Sequence, residues 1–310
     1  LIAGFNWISF NVVPEDASLA GVLESIGDNA LFIASQSDGT STYYGGDYGW
    51  YGTLAMLEPT QMYKLEMAEP ATLTITGVPV NVASSPISLI AGWNWIGYLP
   101  QNPGALDVAL ESVADNSLFI ASQSDGISNN YGDYGWYGTL TTLEPGKGYL
   151  LEMDTPGELI YPEFDGRMAR ALNKQEVVLP DAIYNWDFNY GDYEFIGTIT
   201  ASIENREDSD GDLVGVFVDG ECRGIAERMY FPFDDRYFYI IQVYSNDDGE
   251  KMTFKYYDSI SDEVVEYSEA IEFTDNMVVG DGFNTYGLSR TNSPAPEEYI
   301  LSDAYPNPFN

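Results

Sequence analysis

The chain contains no histidine, one cysteine, and only 12 Lys and Arg residues against 49 Asp and Glu. Each shortage excludes a class of chemistry. Without imidazole there is no general base of the commonest kind, no serine or cysteine triad that depends on one, and no histidine-ligated metal site. This weighs against an enzyme, and no cofactor is expected apart from calcium. A single thiol, Cys222, closes no intrachain disulfide. Within "VFVDGECRGIA" it reads as a small buried residue on a strand. A formal charge of −37 repels polyanions, so nucleic acid and anionic membrane are poor partners and no nucleic acid is expected. No apolar run reaches the roughly 18 residues that cross a bilayer, so no membrane insertion is expected. The chain opens at Leu1 without a signal-peptide pattern and reads as a mature or excised fragment.

What is present is a repeat. "LIAGFNWIS" at Leu1 returns as "LIAGWNWIG" at Leu89, "LFIASQSDG" at Leu31 returns unchanged at Leu118, and "GDYGWYGTL" at Gly46 returns unchanged at Gly132. The register slips by one residue between blocks, as short loop deletions would produce, so the chain holds two tandem copies of one module. Within copy one, "FNWISFNVV" alternates as a strand with a buried face. Leu19, Val22, Leu23 and Ile26 follow at helical spacing, with Asp16 as N-cap and Gly27 as stop. Copy two keeps the stripe in Leu106, Ala109, Leu110 and Val113, with Asn102 as cap and Pro103 at the first helical position. "LFIASQ", "WYGTL", "YKLEM" and "TLTITG" then read as short strands between turns.

After a mixed, relatively basic stretch come "YEFIGTITASI", "LVGVFV", "CRGIAER", "YFYIIQVY", "KMTFKYY" and "EVVEYSEAIEF". These are six strand-like runs at sandwich spacing, with Asp219-Gly220 as a hairpin turn between two of them. The fold expected is mainly β: two tandem small α+β repeats with one short helix each, then an antiparallel β-sandwich. The divisions expected are repeat modules at 1–88 and 89–163, a linker at 164–182, the sandwich at 183–289, and a tether with the start of a sorting signal at 290–310.

Three resemblances follow from these residues. "GWNWI…LEPGKGYLLEM" resembles a module found in tandem in extracellular and cell-surface bacterial proteins. Copy one departs from it, with "EPTQMYKLEM" where copy two has "EPGKGYLLEM". The strands around "DLVGVFVDGECRGIA" resemble a β-sandwich module of secreted bacterial proteins. "ILSDAYPNPFN" is similar to the start of the C-terminal sorting domain of the type IX secretion pathway, with Tyr305 to Asn310 matching its hallmark. Together they imply an extracellular or outer-surface location, and they imply no activity.

Two groups are candidate sites. Tyr48, Trp50 and Tyr51, with Tyr134, Trp136 and Tyr137 in copy two, have the residue types that stack on sugar rings. The alternative is that Trp50 and Trp136 anchor each module's core, since small domains lean on large aromatics for burial. Asp208, Asp210 and Asp212 alternate like the first ligands of a calcium loop, with Asp219 at its twelfth position. Leu213 stands where such a loop needs glycine, and Asp219 is shorter than the usual bidentate Glu. Asp38 and Asp125, each in "SQSDG", read as ordinary turn residues.

The leading expectation is a secreted, non-enzymatic structural or adhesive protein. Its partners would be copies of itself or neighbouring surface proteins, paired through an extended segment such as Leu1 to Ser9 or Ile300 to Asn310 to form a filament or sheath. The alternative is a polysaccharide-binding appendage of a larger secreted hydrolase, which requires exposed, coplanar rings.

Overall fold

The computed structural model describes residues 1–165, 179–204 and 207–291. Most of the expected linker, and the expected tether and sorting segment from 292 on, including Tyr305 to Asn310, lie outside the described residues. The fold is mainly β.

Module 1 is a five-stranded antiparallel sheet made of β1 (Gly4–Ile8), β3 (Ala30–Ala34), β4 (Thr40–Tyr43), β5 (Trp50–Gly52) and β6 (Tyr63–Met67), in the order β1-β6-β3-β4-β5. A small ladder joins β2 (Val12–Pro14) to β7 (Gly77–Pro79). Module 2 repeats the order as β9-β15-β11-β12-β13, with β9 (Gly92–Gly97), β11 (Ser117–Ser122), β12 (Ile127–Asn130), β13 (Trp136–Gly138) and β15 (Gly148–Met153). Two short ladders flank it. One joins β8 (Ile87–Leu89) to β16 (Gly157–Leu159), and the other joins β10 (Gly104–Ala105) to β14 (Thr142–Leu143). The first of these ladders brings Ile87 and Ser88, just ahead of Leu89, alongside the end of module 2.

The helical stripes are buried as the spacing predicts. Leu19, Val22, Leu23 and Ile26 lie in one core, and Leu106, Ala109, Leu110 and Val113 in the other. The α-helix itself is only one turn in each copy, α1 (Leu19–Val22) and α2 (Leu106–Ala109), each followed by a tighter 3₁₀ segment. The caps differ from expectation. Ser18 caps α1 by accepting from the Gly21 N–H at 3.1 Å, while Asp16 accepts from the Ser18 N–H. In copy two Asn102 lies before the β10 strand and donates to the Phe164 carbonyl, so it cannot cap a helix that begins at Leu106. "TLTITG" is not a strand over Thr72 to Thr76. It lies over the core through half-buried Leu73 and Ile75, and only Gly77–Pro79 pairs.

The third domain is a single curled sheet. It comprises β17 (Phe195–Ile203), β18 (Leu213–Val218), β19 (Glu221–Phe231), β20 (Arg236–Ser245), β21 (Lys251–Asp258), β22 (Glu263–Glu272), β23 (Val278–Val279) and β24 (Tyr286–Leu288). Strand β19 pairs with β18 through its first half and with β20 through its second, so the sheet folds over and presents two facing layers. Its ends approach each other where Tyr267 bridges Thr291 and Ser268 N–H donates to the Arg290 carbonyl. That closure shields edges that would otherwise be open to pairing. Asp219 takes φ +49° and Gly220 φ +90° in the turn before β19, as the Asp-Gly signal predicts. Cys222 is buried, and burial pushes its thiol up to about 12.

The three domains share a core. Trp7 and Met62 of module 1, Phe119, Ile127 and Leu150 of module 2, and Ile196, Phe231, Phe238 and Tyr244 of the curled sheet form one apolar cluster. Strand β1 is therefore buried on both faces: Ile8 faces its own module, and Trp7 faces this junction.

Candidate interaction surface

The identical "SQSDG" turns join the two modules. Gln123 accepts from the Trp7 N–H at 2.8 Å and donates to the Phe5 carbonyl at 2.7 Å. Gln36 accepts from the Trp95 N–H at 2.8 Å and donates to the Trp93 carbonyl at 2.7 Å. The outer edges of β1 and β9, the matching end strands of the two five-stranded sheets, thus each take hydrogen bonds from the other copy. The bridges Ile8 to Lys147 and Ile96 to Gln61 repeat the reciprocity. Such exchange of the same contacts in both directions marks a pseudo-twofold relation inside one chain. Asp38 and Asp125 support the turns. Gln61 Nε2 donates to Asp38 at 2.8 Å, and Lys147 Nζ donates to Asp125 at 2.7 Å from the matching position.

The duplicated aromatic block has two different fates. Trp50 and Trp136 are half-buried and pack on the cores of their own modules, Trp50 with its ring 5.2 Å from Tyr43. Neither is a free platform. Gly52 and Gly138 are needed beside them, because a Cβ there would meet the carbonyl oxygens of Thr40 and Ile127 at 2.1 Å. The tyrosines diverge. By strand register Tyr44 corresponds to Tyr131, and by sequence Tyr48 and Tyr51 correspond to Tyr134 and Tyr137.

In module 2 these three rings meet the curled sheet. Tyr131 lies 5.2 Å from Phe231 and 5.5 Å from Phe283, and its hydroxyl accepts from the Gly282 N–H at 2.7 Å. Tyr134 rests on Phe233 at 4.7 Å, with much of its ring still exposed. Tyr137 packs on Phe231 and Phe233, and its hydroxyl donates to the Tyr230 carbonyl. In module 1 nothing covers the counterparts among the described residues: Tyr44, Tyr48 and Tyr51 are 63%, 85% and 79% exposed. A groove of about 520 Å³, lined by Leu19, Leu23, Tyr43, Trp50 and Leu54, runs beside them.

The four aspartates are not brought together. Asp208 and Asp210 pair with Arg228, whose guanidinium also lies 4.0 Å from the centre of the Tyr237 ring. Asp212 is buried and accepts from Ser209 N–H, Tyr256 hydroxyl, and the N–H and hydroxyl of Ser259. Burial alone would raise its pKa, but these donors outweigh it and hold the carboxyl below its ordinary value. Asp219 is exposed at the far end of β18, about 20 Å away at ~3.3 Å per strand residue. Among the described residues no three carboxylates or thiols are grouped to hold a metal ion.

The sequence does not single out Gln36, Gln123, Tyr44 or Tyr131, nor a further residue, Lys64. Lys64 on β6 is 1% exposed at the junction of all three domains, its Nζ 4.8 Å from the Trp95 ring, 4.7 Å from Phe195 and 5.9 Å from Trp7. Burial pushes its ammonium pKa down, against the pull of Asp275 and Glu194. Its only signal was a lysine in "YKLEM" where the second copy has "YLLEM".

No protein-family model matches the chain, and no curated protein or solved structure matches it either.

Proposed function

We propose that the chain is a secreted structural element, working as a rigid building block at the outer cell surface or outside the cell. The observation that carries this reading is the reciprocal exchange by Gln36 and Gln123. The "SQSDG" turns, identical in the two copies, join the modules, and the third domain shares their core. A block joined in this way transmits force and spacing, because packed interiors deform little. The resemblances of the tandem repeats, the sandwich and the Tyr305 to Asn310 segment support the location. Self-association, or contact with neighbouring surface proteins, is the work assigned to it. Electron microscopy and sedimentation of the purified protein across salt and calcium concentrations test the proposal. Ordered assemblies are expected, and dispersed monomers under every condition would count against it.

A second reading, a polysaccharide-binding appendage, rests on the exposed tyrosines Tyr48, Tyr51 and Tyr134, since Trp50 and Trp136 lie on their cores. Glycan-array binding that falls on Tyr48→Ala or Tyr51→Ala with the fold retained would support it.

A further inference from the structure

Resting on the structural reading above, we infer that the tyrosine face of module 1, Tyr44 with Tyr48 and Tyr51, is a docking site for a β-hairpin tip of another polypeptide. That tip carries two phenylalanines two residues apart and basic flanks. The occupant is specified by the same chain. The matching face of module 2 already holds such a tip, the turn between β19 and β20 with Phe231 and Phe233, against Tyr131, Tyr134 and Tyr137. The intramolecular contact has the makings of an interface core, with edge-on aromatic pairs around Phe231, itself fully buried, and a hydrogen bond from the Tyr137 hydroxyl to the Tyr230 carbonyl of the tip. The pseudo-twofold that relates the modules places an equivalent face on module 1.

Charge fixes the flanks. No Lys or Arg occurs before Lys64, while Glu24, Asp28 and Asp47 lie in the elements that frame the groove and the tyrosine turn. A second acidic copy laid face to face would meet like charge, whereas a tip flanked by basic residues is attracted and its guanidinium groups can lie over tyrosine faces. In the chain's own tip Arg228 and Arg236 flank Phe231 and Phe233, and Arg236 donates to the Gly282 carbonyl beside Tyr131.

The test is calorimetric titration of the full chain with a disulfide-cyclised peptide of the sequence Arg228 to Tyr237, in which Asp234 and Asp235 are replaced by Asn. One site per chain is expected, weakened at least tenfold in the double variant Tyr48→Ala/Tyr51→Ala and in a peptide with both phenylalanines changed to Ala. Both tyrosines are exposed, so unchanged circular dichroism and thermal midpoint will show that the variant is folded. Absence of binding at millimolar peptide, or binding indifferent to Tyr48 and Tyr51, overturns the inference. So would sugar binding, or dimerisation by sedimentation, that depends on these tyrosines and is not displaced by the peptide. Assembly without peptide binding would leave the structural reading standing and remove only this site, whereas peptide binding by a permanent monomer would do the reverse.

Discussion

Gln36 and Gln123 make the same two hydrogen bonds in opposite directions across the module boundary, each to the N–H of one tryptophan and to the carbonyl two residues earlier. Their surroundings differ. Gln36 is exposed, while Gln123 is half-buried because the curled sheet covers its turn, with Tyr244 hydroxyl donating to the Gln123 carbonyl at 2.7 Å.

Gln123→Ala is therefore expected to cost about 1–3 kcal/mol, because it leaves the Trp7 N–H and Phe5 carbonyl unpaired away from water. Gln36→Ala should cost less than about 1 kcal/mol, since water can replace the lost groups at an exposed edge. Urea unfolding midpoints of the two variants check this, and equal costs would contradict the inequivalence of the two turns.

Lys64 fills space among Trp7, Trp95 and Phe195, and its counterpart in module 2 is Leu150, buried in the same cluster. Lys64→Leu should keep stability within about 1 kcal/mol of the parent, because an apolar replacement of similar volume avoids desolvating a charge. Lys64→Ala should cost about 2–4 kcal/mol through the cavity it opens. Denaturant unfolding of the pair separates volume from charge: if Leu proves as damaging as Ala, the cation itself holds the junction.

Acid should weaken the closure of the curled sheet through Glu269. Burial would raise this carboxyl, but donors from Ser289 and Arg290 outweigh burial and hold it at about 2. A carboxyl held below its unfolded value stabilises fully above the ordinary glutamate range, and the contribution disappears as pH falls towards 2. Glu269→Gln should therefore be less stable than the parent at pH 6, with the difference vanishing near pH 2. Unfolding midpoints measured across that range will show whether the two curves converge.

Calcium should leave the protein unmoved. Asp208 and Asp210 are engaged by Arg228, and Asp212 by four donors. A site with a dissociation constant near 10 µM would stabilise by about 2.7 kcal/mol at 1 mM calcium, a shift of several degrees. The thermal midpoint is expected to be the same with calcium and with chelator, and a rise of that size would restore the loop as a metal site.

Much of the architecture was legible because it is local. The stripe at Leu19, Val22, Leu23 and Ile26 marks a buried helical face, and Asp219-Gly220 marks a hairpin, since both patterns lie within a few residues of chain. Asp16 and Ser18 are two good capping residues two positions apart, and only the folded geometry selects Ser18, with Asp16 accepting from its N–H instead. The alternation at Asp208, Asp210 and Asp212 resembled a metal loop because spacing alone does not reveal that Arg228, twenty positions on, folds back to occupy two of its carboxylates.

The sequence by itself determined the duplication, the mainly β modules, the buried stripes and the turns. Only the tertiary structure decided what the identical blocks do. Two copies of "GDYGWYGTL" carry the same information, so nothing local can tell Tyr51 from Tyr137. The distinction comes from a single third domain packing on one side of a pseudo-twofold pair. It covers Tyr131 and Tyr137 with Phe231, Phe233 and Phe283, and leaves Tyr44, Tyr48 and Tyr51 open to solvent.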